Sequence, residues 1–396
     1  MLERSAYATT FFLAAAIGVV FVFLADLQDL YGLSDLEFGM VASAGFVAAL
    51  ITQLGFSPLA DRGIVKPLVF LGVLSGGFGV MGFAFATDVV GLVACRATTG
   101  VGLGLFGVTA RKAILGLDIE GGGRKVGTLL SSGVGGFIIG PGIGALFGSI
   151  AFELPFLVVG TAVLLVGLPS AVQIAKAPVD ASPVNYGDLG QLLKAKRVQA
   201  ALLVQCVIFG FIGVFDSILD RFLTDLGSST TAVAFTLIVM GSPMLFLPRL
   251  AGGLAEKRGG ATVVLPGLIL MMPALALYGF AGGAVVVALL GLLHGAGESL
   301  ASVSAQVMIL EETGTERAAI GNAVMEATGM LTATISALVT PLIYGRFGPE
   351  RLFGGTAGIG AFIALGVAGL VLTINREPER TPTGKVQVPA LSESGS

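Results

Sequence analysis

Charged side chains inside apolar stretches are the residues of this sequence most able to do chemistry. Arg96 lies within the apolar run 89–112, and Asp26 lies near the end of the run 7–31. A charge at the centre of a membrane helix costs about 2.5–3.5 kcal/mol on insertion scales, so it should face a cavity or an opposite charge. Counted at about 1.5 Å per residue, Asp26 lies ~9 Å and Arg96 ~12 Å from the nearest turn. We therefore expect these two side chains to pair.

Three further pairs of polar residues stand four positions apart within apolar runs. Residues at i and i+4 lie on one face of a helix. Ionisable groups at this depth are functional candidates by default, although one of them can serve only as a structural ion pair. For the pair Asp216 and Asp220, the alternative is an interfacial cluster with the neighbouring Arg221. The residues expected to line a substrate cavity are Asp216, Asp220, His294 and Asn322, and two further candidates for carrying a proton are Glu298 and Glu326.

The elements that must position these residues are long apolar helices. Of 396 residues, 55% are hydrophobic and 12% are charged, whereas about 25% of a soluble domain is charged. A membrane-spanning helix needs about 20 apolar residues. The sequence therefore predicts an all-α integral membrane protein. Its twelve predicted transmembrane helices are 7–31, 36–58, 67–87, 89–112, 126–149, 153–175, 199–223, 230–250, 261–281, 284–308, 318–344 and 352–374.

The distribution of basic residues predicts the orientation. An even number of spans places both termini on one side. If that side is the cytoplasm, all but four of the 22 lysines and arginines face inward, the exceptions being Arg96, Arg221, Arg346 and Arg351. Positively charged loops stay on the cytoplasmic side of membrane proteins. We therefore predict a multi-pass protein of the cell (inner) membrane with both termini in the cytoplasm.

The chain divides into two similar halves. Residues 57–62 recur as 252–257, and Gly100 and Gly102 recur as Gly295 and Gly297, all at one offset of 195 residues. Parallel repeats related by an axis along the membrane normal are typical of two-domain transporters, with the site between the halves. We predict two pseudo-symmetric six-helix bundles, 1–175 and 199–374. A cytoplasmic linker at 176–198, with a basic surface helix at 189–197, would join them, and a polar tail at 375–396 is predicted to be disordered.

A charged cluster follows the second predicted span of each half. Asp61, Arg62 and Lys66 form the first cluster, and Glu256 and Lys257 form its repeat. A carboxylate at a helix end, beside cations, can bridge the two halves and hold one state of a rocking pair. The alternative is a solvated charged turn, which the second copy makes less favoured. We interpret these five residues as a conformational latch.

These motifs resemble those of the major facilitator superfamily. The family's loop signature, G-x-L-A-D-R-x-G-R-K, is matched by 252–259 with Glu256 in place of Asp, whereas the first copy departs from it at Ser57 and Ile64. The string 92–102 resembles the fourth-helix motif of proton-coupled members, l-x-x-x-R-x-x-q-G-x-G, with Thr99 in place of Gln. There the arginine is associated with proton transfer. The alternative for Arg96 is a side chain that only snorkels to the outer face.

The fifth predicted helix carries the most specific resemblance. Its spacing is similar to that of the antiporter motif, G-x8-G-x3-GP-x2-GG, of the family's twelve-helix drug:proton antiporters. Glycines four apart make a smooth face for close helix contact, and a proline allows a kink. The alternative is a generic packing face. The matching residues are Gly127, Gly136, Gly140, Pro141 and Gly144, with Ala145 in place of the last glycine.

The resemblance, which covers residues 7 to 374, implies a proton-coupled exporter that works by alternating access around a cavity formed by helices 1, 4, 7 and 10. Exchange for protons needs a partly desolvated carboxylate, and a nearby cation helps to release its proton. Asp26 opposite Arg96 offers both, whereas Glu298 and Glu326 have no evident cation in their own spans. We therefore rank Asp26 first, Glu298 second and Glu326 third as the proton carrier.

The expected partners are a small drug-like molecule or metabolite, protons and the lipid bilayer. A cavity with carboxylates and few cations favours neutral or cationic amphiphiles. The net charge of −3 argues against nucleic acid, and the distant Cys95 and Cys206 make no disulfide framework or metal cluster. We expect a monomer without enzymatic activity, cofactor or metal. The alternatives are an importer or facilitator of the same fold and an intramembrane prenyltransferase-type enzyme, for which Asp216 and Asp220 would supply only half of a metal-diphosphate signature.

Overall fold

The computed structural model describes residues 2–117, 122–177 and 189–375. Every regular element in these ranges is a helix. The elements are α1 (Leu2–Phe21), α2 (Leu24–Tyr31), α3 (Asp35–Asp61), α4 (Val65–Gly82), α5 (Val89–Leu117), α6 (Gly122–Gly148), α7 (Leu154–Ile174), α8 (Leu189–Leu192), α9 (Lys196–Asp225), α10 (Thr230–Phe246), α11 (Pro248–Arg258), α12 (Gly260–Tyr278) and α13 (Ala284–Ile374).

The long element α13 is three helices joined at two glycines. Gly314 and Gly348 have φ of 62° and 78°, a left-handed conformation that glycine adopts readily. We name the three segments α13a (284–313), α13b (315–347) and α13c (349–374). Eleven helical stretches of the described residues are long and apolar enough to cross a membrane, and the longest, 320–374, contains the break at Gly348. The predicted all-α membrane fold is confirmed.

Two predicted spans are each divided in the structure. The span 7–31 forms α1 and α2, with the break at Val22 and Phe23, and the span 230–250 forms α10 and α11. The second division falls at Pro248, which has no backbone N–H to continue the hydrogen-bond ladder. No proline or glycine marks the first division. The predicted surface helix 189–197 is shorter in the structure. Only its first four residues form a separate helix, α8, and α9 begins at Lys196. Residues 178–188 of the predicted linker and 376–396 of the predicted tail lie outside the described residues.

The helices run alternately between two ends of the molecule. We call the end where α7 ends and α9 begins the linker end, and the end that carries Gly32, Gly227 and Gly348 the distal end. The two halves contact each other along two seams. In one, Gly39 of α3 lies against the carbonyl of Leu338 in α13b, and in the other Gly241 of α10 lies against Ile138 of α6. Side chains near these seams can therefore bridge the halves.

The predicted topology leads to a first test. Reporter proteins fused at Pro183, in the linker, and to the C-terminal tail are expected to report the cytoplasm, because basic residues concentrate at the linker end. A fusion after Gly227, at the distal end, serves as the control and should report the opposite compartment. An extracytoplasmic signal from Pro183 or from the tail would contradict the twelve-span arrangement.

Candidate functional site

A buried ion pair joins the two halves in the interior of the bundle. Arg96 Nη2 donates to Asp216 Oδ2 at 2.5 Å, and each residue is 2% exposed. Arg96 comes from α5 in the first half, and Asp216 comes from α9 in the second. Arg96 Nη1 also donates to the carbonyl of Ile17 in α1 at 3.4 Å. One arginine therefore connects three helices from both sides of the interface.

The predicted pair of Asp26 with Arg96 is wrong. Asp26 is exposed and lies in α2, beyond the break in the first helix. Arg96 contacts Ile17, and the nine residues from there to Asp26 correspond to about 13 Å along a helix. Counting depth from the helix ends did not reveal this separation, because such a count contains neither the break nor the rotation of each helix.

The ion pair uses only part of the hydrogen-bonding capacity of its two groups. Asp216 Oδ1 and Arg96 Nε are buried and find no hydrogen-bond partner among the described residues. Each partner nevertheless depends on the other, since a single buried charge without its counter-ion is strongly unfavourable. A proton on Asp216 would neutralise the carboxylate and remove the main counter-charge of Arg96. Chemically, this arrangement can convert protonation into separation of the halves.

A small cavity borders Arg96. Its volume is about 50 Å³, whereas pockets for drug-sized ligands measure about 300–1,000 Å³. Both halves contribute to its largely apolar wall, so movement of the halves away from each other would enlarge it. The lining residues are Ile17, Gly45, Phe46, Ala49, Arg96, Thr99, Gly100, Leu103 and Met330.

A polar cluster lies at the distal end. Arg221 pairs with Asp29 of α2 and, at 2.8 Å, with Asp225 on its own helix. Asp225 also accepts a hydrogen bond from the Tyr344 hydroxyl of α13b at 2.7 Å. An open cavity of about 480 Å³, to which Asp29, Arg221 and Tyr344 contribute, lies at this end. The structure thus places Arg221 in a cluster at a helix end, as the interfacial alternative proposed.

Asp220 and His294, both predicted to line a substrate cavity, are fully enclosed by protein. Asp220 is 3% exposed, and its Oδ2 accepts a hydrogen bond from the Ala25 amide at 2.7 Å. His294 Nε2 lies 3.4 Å from Glu298 Oε2, and the rings of Phe215 and Tyr278 lie 5.1 and 6.1 Å from the imidazole. His294 and Glu298 therefore form a buried polar pair within the second half.

Glu326 pairs with a cation that the sequence did not reveal as its partner. Arg111 of α5 donates to Glu326 Oε1 of α13b at 2.6 Å, which gives the halves a second ion pair, towards the linker end. Both side chains are about one-third exposed, at 30% and 32%. The sequence predicts for Arg111 only that it faces the cytoplasm, because no pattern within one span shows which residue of another span it pairs with. Asn322, one turn before Glu326, is exposed.

Four of the five predicted latch residues have side chains that the structure describes. Arg62, Lys66, Glu256 and Lys257 are exposed, and they form no ion pair with any described side chain. The side chain of Asp61 lies outside the described part of the structure. Arg111 and Glu326 therefore provide the ion pair between the halves that is observed nearest the linker end.

This ion pair leads to a second prediction. Glu326→Gln is expected to change the transport rate only a few-fold and to leave substrate selectivity unchanged, because a partly exposed ion pair contributes about 0–1 kcal/mol. If the latch forms during the transport cycle, Asp61→Asn is also expected to slow transport without changing substrate selectivity. Initial rates for several substrates provide the measurement. An altered substrate profile at normal turnover would show instead that the mutated residue lines the substrate route.

Two glycines of α6, Gly136 and Gly140, pack directly against the backbone of α1, whereas a Cβ atom at Gly127 would meet no atom within 4 Å. A Cβ atom at Gly140 would lie 2.7 Å from the Ala15 carbonyl oxygen and 2.9 Å from Gly18 Cα. A Cβ at Gly136 would meet the Phe11 carbonyl, and one at Gly144 would lie 2.7 Å from Val22 Cγ1. Backbones this close leave no room for side chains. Pro141 lies within α6 between two of these contacts.

Comparisons with known proteins agree on the fold. A family model described as Major Facilitator Superfamily matches residues 6–260 and 201–394. No curated protein sequence matches this chain at a significant level.

Three kinds of solved structure resemble the chain over nearly its whole length. A bacterial homolog of the human lysosomal transporter Spinster, in an inward-facing and occupied conformation, has 13% identity and a TM-score of 0.73, over 94% of this chain and 96% of its own. The nucleoside transporter NupG has 15% identity and a TM-score of 0.73, over 93% and 100%. A D-xylose-proton symporter has 14% identity and a TM-score of 0.75, over 92% and 96%.

Proposed function

This chain belongs to the major facilitator superfamily of membrane transporters, and we propose that it is a proton-coupled exporter of a small drug-like molecule or metabolite. The observation that carries this proposal is the buried pair of Arg96 and Asp216 between the halves. A charge pair in the membrane interior is unfavourable unless both partners are satisfied. Its position at the interface makes it suited to control how the halves move relative to each other.

The proposed cycle uses the Asp216 carboxylate for two ligands in turn. When Asp216 takes up a proton, Arg96 loses its counter-charge and the halves separate at one end. When the proton leaves on the other side, the pair re-forms and the halves close again. A cationic substrate competes with the proton for the same carboxylate. Exchange of substrate for proton follows because the two cannot occupy Asp216 together.

We propose a different ranking of proton carriers. Asp216 takes first place in our proposal, because it supplies the burial and the cation that were sought in Asp26. Glu326 has Arg111 as its cation, and Glu298 Oε2 lies 3.4 Å from the imidazole Nε2 of His294. Both stay in the proposal as secondary proton sites. Asp26 is exposed and follows them.

The proposed direction, export, is supported by the glycine seam between α6 and α1. Gly136, Gly140 and Gly144 hold the two backbones together at the positions of the motif that resembles that of drug:proton antiporters. The alternative is an importer or facilitator of the same fold. The likeness to a D-xylose-proton symporter and to a nucleoside transporter extends to the fold alone at 14% and 15% identity, so the vesicle experiment decides between the two directions.

The proposed substrates are neutral or cationic amphiphiles. The cavity beside Arg96 has a largely apolar wall, and Arg96 in that wall is paired with the carboxylate of Asp216. An apolar pocket with one acidic group binds amphiphilic cations by burial of apolar surface and by charge.

Transport into everted membrane vesicles tests the proposed function. Ethidium, a neutral amphiphile or a sugar is added outside the vesicles, or loaded into them to test the reverse direction, with and without an imposed proton gradient. Vesicles with equal amounts of the Asp216→Asn variant are the matched control. We expect gradient-dependent accumulation of an amphiphile, abolished by a protonophore and absent from the control. Equilibration without a gradient would indicate a facilitator, and gradient-driven movement out of the vesicles would indicate an importer.

A further inference from the structure

The first membrane helix is broken where it meets the second half of the molecule. α1 ends at Phe21, and α2 begins at Leu24 with Phe23 as its N-cap residue at φ −119° and ψ 7°. No side chain of the cap position bonds to the first turn of α2. The first amides of a helix have no acceptor within the helix and carry partial positive charge. The start of α2 therefore requires an acceptor from elsewhere.

Asp220 of α9 supplies that acceptor from the opposite half. Its Oδ2 accepts the Ala25 amide at 2.7 Å, and the residue is 3% exposed. In a continuous helix the Ala25 amide would bond to the Phe21 carbonyl. The carboxylate of one half thus takes the place of a backbone acceptor in the other.

The residue after Asp220 holds the other end of α2. Arg221 pairs with Asp29, eight residues after Phe21 along the chain. α2 ends at Tyr31, and its C-cap residue Gly32 has left-handed φ and ψ of 60° and 39°. α2 is consequently a short helix with a break in the helical backbone at each end. Two adjacent residues of α9 hold it, and it borders the open distal cavity through Gln28 and Asp29.

We propose that α2 is a gate at the distal end and that the Asp220 carboxylate is the clasp that holds it closed, released when Asp220 takes up a proton. An ionised carboxylate accepts the Ala25 hydrogen bond and is attracted by the positive end of α2. A protonated carboxyl has no charge to be attracted, and one of its oxygens becomes a donor. Protonation therefore weakens the contact that replaces the missing helical hydrogen bond.

The charged groups around Asp220 support this assignment. From α2, Asp26 is an acid that opposes a further negative charge at Asp220, and Asp29 pairs with Arg221. From α9, Arg221 is engaged by Asp29 and Asp225, and Asp216 is engaged by Arg96 of α5. Among the described residues, side chains of α3, α10 and α13 form no hydrogen bond or ion pair with Asp220. The start of α2 is thus the main group that stabilises the charge of Asp220.

The gate is linked to the central ion pair through one helix face. Asp216 and Asp220 stand four residues apart on α9, so both lie on the same side of the helix. Protonation events at the two carboxylates would then act on the same pair of halves. This inference extends the proposed function from the central pair to the distal end, and it does not depend on the direction of transport.

Thiol accessibility tests the gate without substrate or proton gradient, so its outcome is independent of the vesicle test. In a background with Cys95→Ala and Cys206→Ala, Leu27→Cys places a thiol on α2 at a position that is 1% exposed. Leu30→Cys, at a position on the same helix that is 62% exposed, corrects for the pH dependence of the labelling chemistry. The measured quantity is the labelling rate of residue 27 divided by that of residue 30, for purified protein in lipid nanodiscs.

We expect this ratio to rise about five- to thirtyfold from pH 8 to pH 5, the range expected for loss of a favourable charge at a helix terminus. Asp220→Asn should show the high ratio at both pH values. Asp88→Asn is the matched control, because Asp88 accepts the Gly91 amide at 2.7 Å at the start of α5 within one half, and it should behave like the parent.

Either of two results would overturn the proposal. One is a parent ratio that does not change with pH. The other is a folded Asp220→Asn variant with the low, pH-dependent ratio of the parent. If Asp220→Asn does not fold, as judged by its elution and thermal unfolding, the pH dependence of the parent decides the question by itself.

Discussion

Asp216→Asn is expected to abolish proton-driven transport and to weaken the closed arrangement of the two halves. The substitution keeps the shape of the side chain but leaves the charge of Arg96 buried without its counter-ion. Breaking a buried ion pair from one side costs about 3–5 kcal/mol, equivalent to a change of roughly 10²–10⁴-fold in an equilibrium constant. The loss should be visible as a lower thermal unfolding temperature and as absent gradient-driven accumulation in vesicles.

A double-mutant cycle separates the role of the pair from a general loss of stability. Arg96→Gln alone should be as damaging to transport as Asp216→Asn. The double variant removes both charges, so it should recover stability while transport stays uncoupled from protons. Glu311→Gln is a suitable control, because its partner Arg197 lies in the same half at 3.5 Å. If Asp216→Asn retains coupled transport, Asp216 is not the proton carrier.

Gly140→Leu is expected to leave some folded protein and to abolish or uncouple export. Even a Cβ atom at this position would lie 2.7 Å from the Ala15 carbonyl oxygen, which belongs to backbone that cannot yield without shifting α1. Insertion of extra atoms into a close-packed interface costs about 1–3 kcal/mol for small additions. Gly140→Ala should therefore already lower the thermal unfolding temperature, and the leucine should lower it further.

Gly135→Ala provides the matched control on the same helix. A Cβ atom at Gly135 would find its nearest neighbours, among them Leu245 Cδ2, at the ordinary contact distance of 3.9 Å. We expect this variant to unfold and to transport like the parent. Transport by Gly140→Leu at the parental rate and coupling would show that the resemblance of α6 to the antiporter motif is accidental.

The fold could be predicted because each membrane span is visible in the sequence as a long run of apolar residues. Each span needs about 20 apolar residues whatever its partners are, and turns and basic loops mark its ends. The close packing of the α6 glycines could also be predicted from the sequence, since residues four apart share a helix face in any context. The break at Val22 and Phe23 could not be predicted in this way. No proline or glycine stands there, and the acceptor that compensates for it, Asp220, comes from the other half of the chain.

The partners of the buried charges depend on helix rotation and on packing between halves. Arg96 could be assigned to the interior from its own span, but nothing in that span distinguishes Asp26 from Asp216. Glu326 likewise lacked a cation in its own span, and Arg111 reaches it from α5. Contacts of this kind become visible only when the relative positions of the helices are known.

Proton release on substrate binding tests most directly whether Asp216 exchanges a proton for substrate. Purified protein in weakly buffered solution receives the amphiphile identified by the vesicle experiment, and a pH indicator records the protons released. The parent is expected to release protons as substrate binds. Asp216→Asn lacks the carboxylate and is expected to bind a cationic substrate more weakly and, at saturating substrate, without that release. Equal proton release from Asp216→Asn and from the parent would contradict the assignment of the exchanged proton to Asp216.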